Sequence, residues 1–153
     1  YGPHQFGTED QGWVAHFLIS ALEGKPITIF GDGKQVRDVL YVDDLIAAFE
    51  LALQNMATVN GKVFNIGGGP SNTVSLLEIL HQIREETGIK PQISFEDARI
   101  GDQKYYVTDI RSFGKATGWE PSFSIELGLK RMLEWYSGKN VSSFENQKKT
   151  ILG

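Results

Sequence analysis

The 153 residues contain no cysteine, which excludes disulfide frameworks, Cys-ligated zinc, iron–sulfur clusters and thiol nucleophiles, and is compatible with a cytoplasmic location. Basic charge is also short. Lys and Arg number 15 against 19 Asp and Glu, a formal net charge of −4, so no positive surplus supports general binding to nucleic acid or to an anionic membrane surface. Long apolar runs are missing: the longest, Val14 to Leu22, is interrupted by His16 and Ser20 and suits neither a membrane span nor a signal peptide. The histidines His4, His16 and His81 have no metal-ligand spacing to carboxylates, so no metal site is expected. Gly67-Gly68-Gly69 runs on into Pro70, Ser71 and Asn72, so the Gly-x-Gly-x-x-Gly turn that seats a dinucleotide pyrophosphate is absent, and no cofactor-binding residues are assigned.

What is present is enough for a packed core, with 41% hydrophobic residues and no repeat, linker or composition shift to divide it. Trp13 to Glu23 has helical spacing of apolar residues and stops at Gly24. Ile27 to Phe30 and Val36 to Val42 read as strands flanking Gly31-Asp32-Gly33. Asp43 or Asp44 is expected to cap a helix whose Leu45, Phe49, Ala52, Leu53 and Met56 form a buried stripe. Val63 to Ile66 reads as a strand covered on both faces. Ser75 and Glu78 form a capping box for a helix that Gly88 closes. Ile93 to Phe95 is extended, Asp109 to Thr117 a short helix, and Ser124 caps a last helix carrying Ile125, Leu129, Met132, Leu133 and Tyr136. The pattern is α/β, with about five helices and strands too few and too short for a complete doubly wound sheet. The chain opens on the turn sequence Tyr1-Gly2-Pro3 rather than on Met, so a fragment is expected, with residues 1–138 as one α/β lobe and 139–153 as a polar tail.

Two arginines stand out. Arg37 lies in an apolar strand-like run, where a guanidinium needs an anion: either Asp38, Asp43 or Asp44, or a ligand phosphate. Arg99 sits in the loop Arg99-Ile100-Gly101-Asp102, either solvated or, with Arg37, forming a diphosphate clamp. Gln11-Gly12-Trp13 leads into a helix start whose free N–H groups can meet a ligand, and Trp13 can either stack on a base or pack in the core. Asn65 is a polar residue near the end of an apolar run, bonded to neighbouring backbone or facing a ligand.

The ordered set Tyr1-Gly2-Pro3, Gly31-Asp32-Gly33 with Gln35, Arg37-Asp38, Tyr41-Val42-Asp43-Asp44-Leu45, Phe64-Asn65-Ile66-Gly67, Arg99-x-Gly101-Asp102 and Gly118-Trp119-x-Pro121 resembles the C-terminal half of extended short-chain dehydrogenases/reductases acting on nucleotide sugars. Residues 5–13 most resemble the CDP-paratose 2-epimerase (CDP-tyvelose 2-epimerase) branch. The resemblance implies an α/β substrate-binding lobe including a strand of a Rossmann-type sheet, with an N-terminal lobe outside this sequence holding NAD and a catalytic Tyr-x-x-x-Lys pair. None of Tyr1, Tyr41, Tyr105, Tyr106 and Tyr136 has Lys four positions later, so no catalytic residue is assigned and this piece alone is expected to be inactive. By the same resemblance, Arg37 and Arg99 bind the diphosphate, Thr28 and Phe30 line the base, and Gln11, Trp13, Asn65 and Asp102 complete the site. The implied enzyme is a cytoplasmic homodimer that epimerises a CDP-linked sugar by transient oxidation and hydride return. The alternatives are a nucleotide-sugar 4-epimerase or 4,6-dehydratase, or a non-catalytic nucleotide-binding or structural module.

Overall fold

Gly12 sets the entry to the first helix. Its φ of 71° lies in the left-handed region that a side chain disfavours, and helix α1 (Trp13–Leu22) begins at the next residue. The fold is given by a computed structural model that describes residues 1–139; residues 140–153, most of the expected tail, lie outside the described residues. Beyond α1 come β1 (Ile27–Phe30), β2 (Val36–Asp38), α2 (Val42–Gln54), the single turn α3 (Met56–Val59), β3 (Thr73–Ser75), α4 (Leu76–Thr87), β4 (Ile93–Glu96), β5 (Tyr105–Tyr106), α5 (Arg111–Thr117) and α6 (Ile125–Lys139).

The strands form two small sheets. In the first, β1 pairs in parallel with β4, Ile27 opposite Ile93 and Phe30 opposite Glu96. In the second, β2 is central, antiparallel to β3 and parallel to β5, with Val36 facing Ser75 on one side and Tyr105 on the other. Helices α1, α4 and α6 bury their apolar stripes against β1 and β3 in the main core, where Ala15, Leu18, Ile27, Ile29, Ile79, Ile83, Leu129 and Met132 are all but excluded from solvent. The end of α1 is tied to α6 by the Tyr136 hydroxyl, which donates to Glu23 at 2.6 Å.

Helix α4 starts as its sequence dictates. The Glu78 N–H donates to Ser75 Oγ at 3.2 Å and the Ser75 N–H donates back to the Glu78 carboxylate at 2.7 Å, satisfying helix-end N–H groups reciprocally. Gly88 ends it in the left-handed conformation. Ser124 caps α6 by accepting from the Leu127 N–H at 3.2 Å.

Four expectations are corrected. The run from Val36 to Val42 is a strand only as far as Asp38, because Val42 already belongs to α2. The cap position of α2 is Tyr41, while Asp44 is buried and accepts from the Ser122 N–H (2.9 Å), the Ser122 hydroxyl (2.7 Å) and the Phe123 N–H (3.1 Å). The stripe of α2 is largely open: Ala48 packs with Phe113 and Trp119 in a second, smaller core, and Phe49, Leu53 and Met56 are exposed. Residues 63–66 form no ladder among the described residues; Phe64 and Ile66 lean on the smaller core, whereas Val63 is 95% exposed.

Candidate functional site

Strand β1, the turn after it and strand β2 bring polar groups to one end of the first sheet. Gln35 lies between the strands, and its amide N–H donates to the Phe30 carbonyl at 2.8 Å and toward Asp102 at 3.4 Å. On β2, the Arg37 guanidinium donates to its own Val36 carbonyl at 2.8 Å and to the Asp102 carboxylate at 2.6 Å. The anion that Arg37 requires is therefore Asp102, 65 positions on, not a neighbouring aspartate. Asp38 instead accepts from the Gly69 N–H at 3.0 Å.

Arg99 arrives from the loop after β4. Its guanidinium lies 4.0 Å above the centroid of the Phe30 ring, a cation–π contact, and pairs with Asp10 at 3.2 Å and Glu9 at 4.0 Å. Arg37 and Arg99 line one cleft of about 190 Å³ together with Trp13, Thr28, Phe30 and Asp102. Trp13 packs in the core, its ring meeting Phe17 edge-on at 5.6 Å, and it also borders the cleft. The cleft carries two guanidiniums and the carboxylates of Glu9, Asp10 and Asp102 over an aromatic floor. That combination suits a ligand with an anionic portion and a flat ring.

Two expected site residues stand elsewhere. Gln11 is exposed in a turn with Thr8 and is not part of the cleft lining. Asn65 is exposed in the unpaired segment 63–66 and also lies outside it. Conversely, Glu9, Asp10, His16 and Gln35 line the cleft although no role followed for them from the sequence. Adjacent acidic residues in a polar loop give no local sign of a distant arginine.

The triple glycine is packed closely against the rest of the chain. A Cβ on Gly67 would collide with Thr108, one on Gly68 with the Val39 carbonyl, and one on Gly69 with the Ile110 side chain. The three glycines allow the chain to pack closely on itself, and no step involving NAD is placed on these residues.

Residues 1–67 match the NAD dependent epimerase/dehydratase family. It is 40% identical over 142 residues to a CDP-paratose 2-epimerase of Salmonella typhi, covering 90% of this chain and 42% of that protein. It is 32% identical over 143 residues to a dTDP-glucose 4,6-dehydratase of Escherichia coli, covering 89% of this chain and 38% of that protein. The solved UDP-glucuronic acid 4-epimerase of Bacillus cereus, in complex with UDP-glucuronic acid and NAD, superposes with a TM-score of 0.80 at 31% identity, over 91% of this chain and 43% of that one. The chain thus spans about two-fifths of the length of these relatives. No helix among the described residues is long and apolar enough to cross a membrane.

Proposed function

We propose that this chain is the nucleotide-sugar-binding lobe of an NAD-dependent nucleotide-sugar epimerase, with a CDP-linked sugar as substrate. The observation that carries the reading is the convergence of Arg37 and Arg99 on one cleft floored by Phe30. Two forked guanidiniums suit the four free oxygens of a diphosphate, and the aromatic lining of the cleft beside them suits a base. Thr28 and Trp13 flank that floor, and Asp102 orients Arg37. A cleft of about 190 Å³ is smaller than the roughly 300–1,000 Å³ usual for a ligand pocket, so the sugar extends beyond it toward a second lobe.

That second lobe holds NAD and the groups that move the sugar's hydroxyl proton. This chain's residues bind and orient the nucleotide. The open face of α2 and the unpaired segment 63–66 are where the lobes join, the segment adding to a parallel sheet. The full enzyme works as a cytoplasmic homodimer. The CDP-linked 2-epimerase reading follows the 40% identity to the Salmonella typhi protein; 4-epimerase and 4,6-dehydratase chemistry share the clamp, and turnover products separate them.

Calorimetric titration of the intact protein with CDP-, UDP- and dTDP-sugars tests the assignment. Arg37→Ala and Arg99→Ala should each weaken binding by ~1–3 kcal/mol, the range for a charge-assisted hydrogen bond, and the CDP-linked ligand should bind most tightly. Unchanged affinity in both variants removes the clamp.

A further inference from the structure

The two arginines hold their carboxylates differently. Arg37 is fixed within the strand: its side chain is 21% exposed, bonded at once to the Val36 carbonyl and Asp102, with Gln35 bracing Asp102 from the other side. Arg99 lies over the Phe30 ring, and its ion-pair partners are surface groups. Its side chain is 44% exposed and its partners Glu9 and Asp10 are 48% and 83% exposed.

Those two carboxylates sit at the tip of a closed turn. The Thr8 N–H donates to the Gln11 carbonyl at 2.7 Å, and the Gln11 N–H returns to the Thr8 carbonyl at 3.3 Å. Glycines flank it. A Cβ on Gly7 would collide with the Gly12 carbonyl, and Gly12 has φ 71°, so the turn seats tightly on the start of α1 as a unit. It carries Glu9 and Asp10 across the cleft to Arg99, the guanidinium best placed over Phe30.

We propose that the Glu9–Asp10 turn is an internal competitor for the anionic part of the ligand: its carboxylates occupy Arg99 in the free protein, and a ligand phosphate displaces them. The proposal rests on the cleft being a nucleotide site. An exposed ion pair is weak enough for a ligand to break, and a diphosphate offers Arg99 a denser set of acceptors than either carboxylate. Carboxylates left beside a bound phosphate would repel it, so exchange requires the tip of the turn to swing away. The Arg37–Asp102 pair, braced by the Val36 carbonyl and the Gln35 amide, stays in place as the fixed arm of the clamp. Binding is thereby selective by charge: a nucleoside without phosphates gains nothing from Arg99 and leaves the turn closed.

Calorimetry on the intact protein, comparing wild type with the isosteric double variant Glu9→Gln/Asp10→Asn, tests this with CDP and UDP as anionic probes and cytidine and uridine as neutral ones. The double variant should bind the better diphosphate roughly three- to tenfold more tightly at low salt, with nucleoside affinity unchanged. The gain should shrink at about 0.5 M salt as screening weakens the pair. Diphosphate affinity that stays the same or falls in the double variant overturns the competitor, a fall marking the carboxylates as positioning groups for Arg99. Absence of binding by wild type to any of the four probes overturns the nucleotide site itself, so the two failures are distinguishable.

Discussion

Leu18 on α1 is 1% exposed and Leu53 on α2 is 71% exposed, although both belong to apolar stripes at helical spacing. The stripe of α1 meets α4, α6 and β1 within this chain. The stripe of α2 meets nothing comparable: only its Ala48 edge is buried, against Phe113 and Trp119, and Ile46, Phe49 and Leu53 stay in solvent beside the exposed Met56. A hydrophobic stripe states which face of a helix must be covered, not which part of a protein covers it. One region of this lobe is therefore finished, and the other is an unfinished surface.

Substitution in the finished region should have the largest effect. Leu129→Ala in the α1/α4/α6 core should cost about 2–5 kcal/mol of stability by denaturant titration, the usual range for a buried leucine. Leu53→Ala should stay within about 0.5 kcal/mol in this chain. Comparable losses at both positions would erase the contrast.

Next in size is the buried carboxylate that closes the smaller core. Asp44→Ala removes the acceptor for two backbone N–H groups and the Ser122 hydroxyl and should cost ~1–3 kcal/mol. Asp44→Asn keeps one acceptor oxygen and should recover part of it. Equal melting of the two variants would mean that the carboxylate only fills space.

The open face should also show itself by association. Sedimentation of this chain alone should reveal concentration-dependent self-association that Phe49→Glu with Leu53→Lys abolishes, because an exposed apolar patch of this kind favours contact. A chain that stays monomeric at high concentration would show that the face needs no cover.

The smallest expected effect is a matter of pH. The Ser75 backbone N–H and hydroxyl, both donating to Glu78, hold its carboxyl below the usual carboxylate range. A depressed folded value gives stability that is present above the unfolded pKa of roughly 4.3 and lost as pH falls through the folded one. Glu78→Gln should flatten the acid side of the stability curve, and parallel curves for the two proteins would leave the capping box without electrostatic weight. Ser75→Ala, which removes the cap itself, should cost ~1 kcal/mol at neutral pH.

Local physics was legible along the chain. The start and stop of α4 follow from Ser75, Glu78 and Gly88, the extent of α1 from its apolar spacing, and the need of Arg37 for an anion from its neighbours on β2. Each depends on interactions between residues a few positions apart, which sequence displays directly. Tertiary structure decided the partners. Asp102 rather than Asp38, Asp43 or Asp44 neutralises Arg37; Glu9 and Asp10 reach Arg99; Asp44 ties α2 to the loop before α6 instead of capping its own helix; Gln11 and Asn65 stand outside the cleft that holds Trp13, Thr28 and Phe30. Charge and hydrophobicity specify only that a partner is required. The path of the backbone through two small sheets determines which residue comes within 3 or 4 Å, and whether an apolar stripe is buried by this chain or left open.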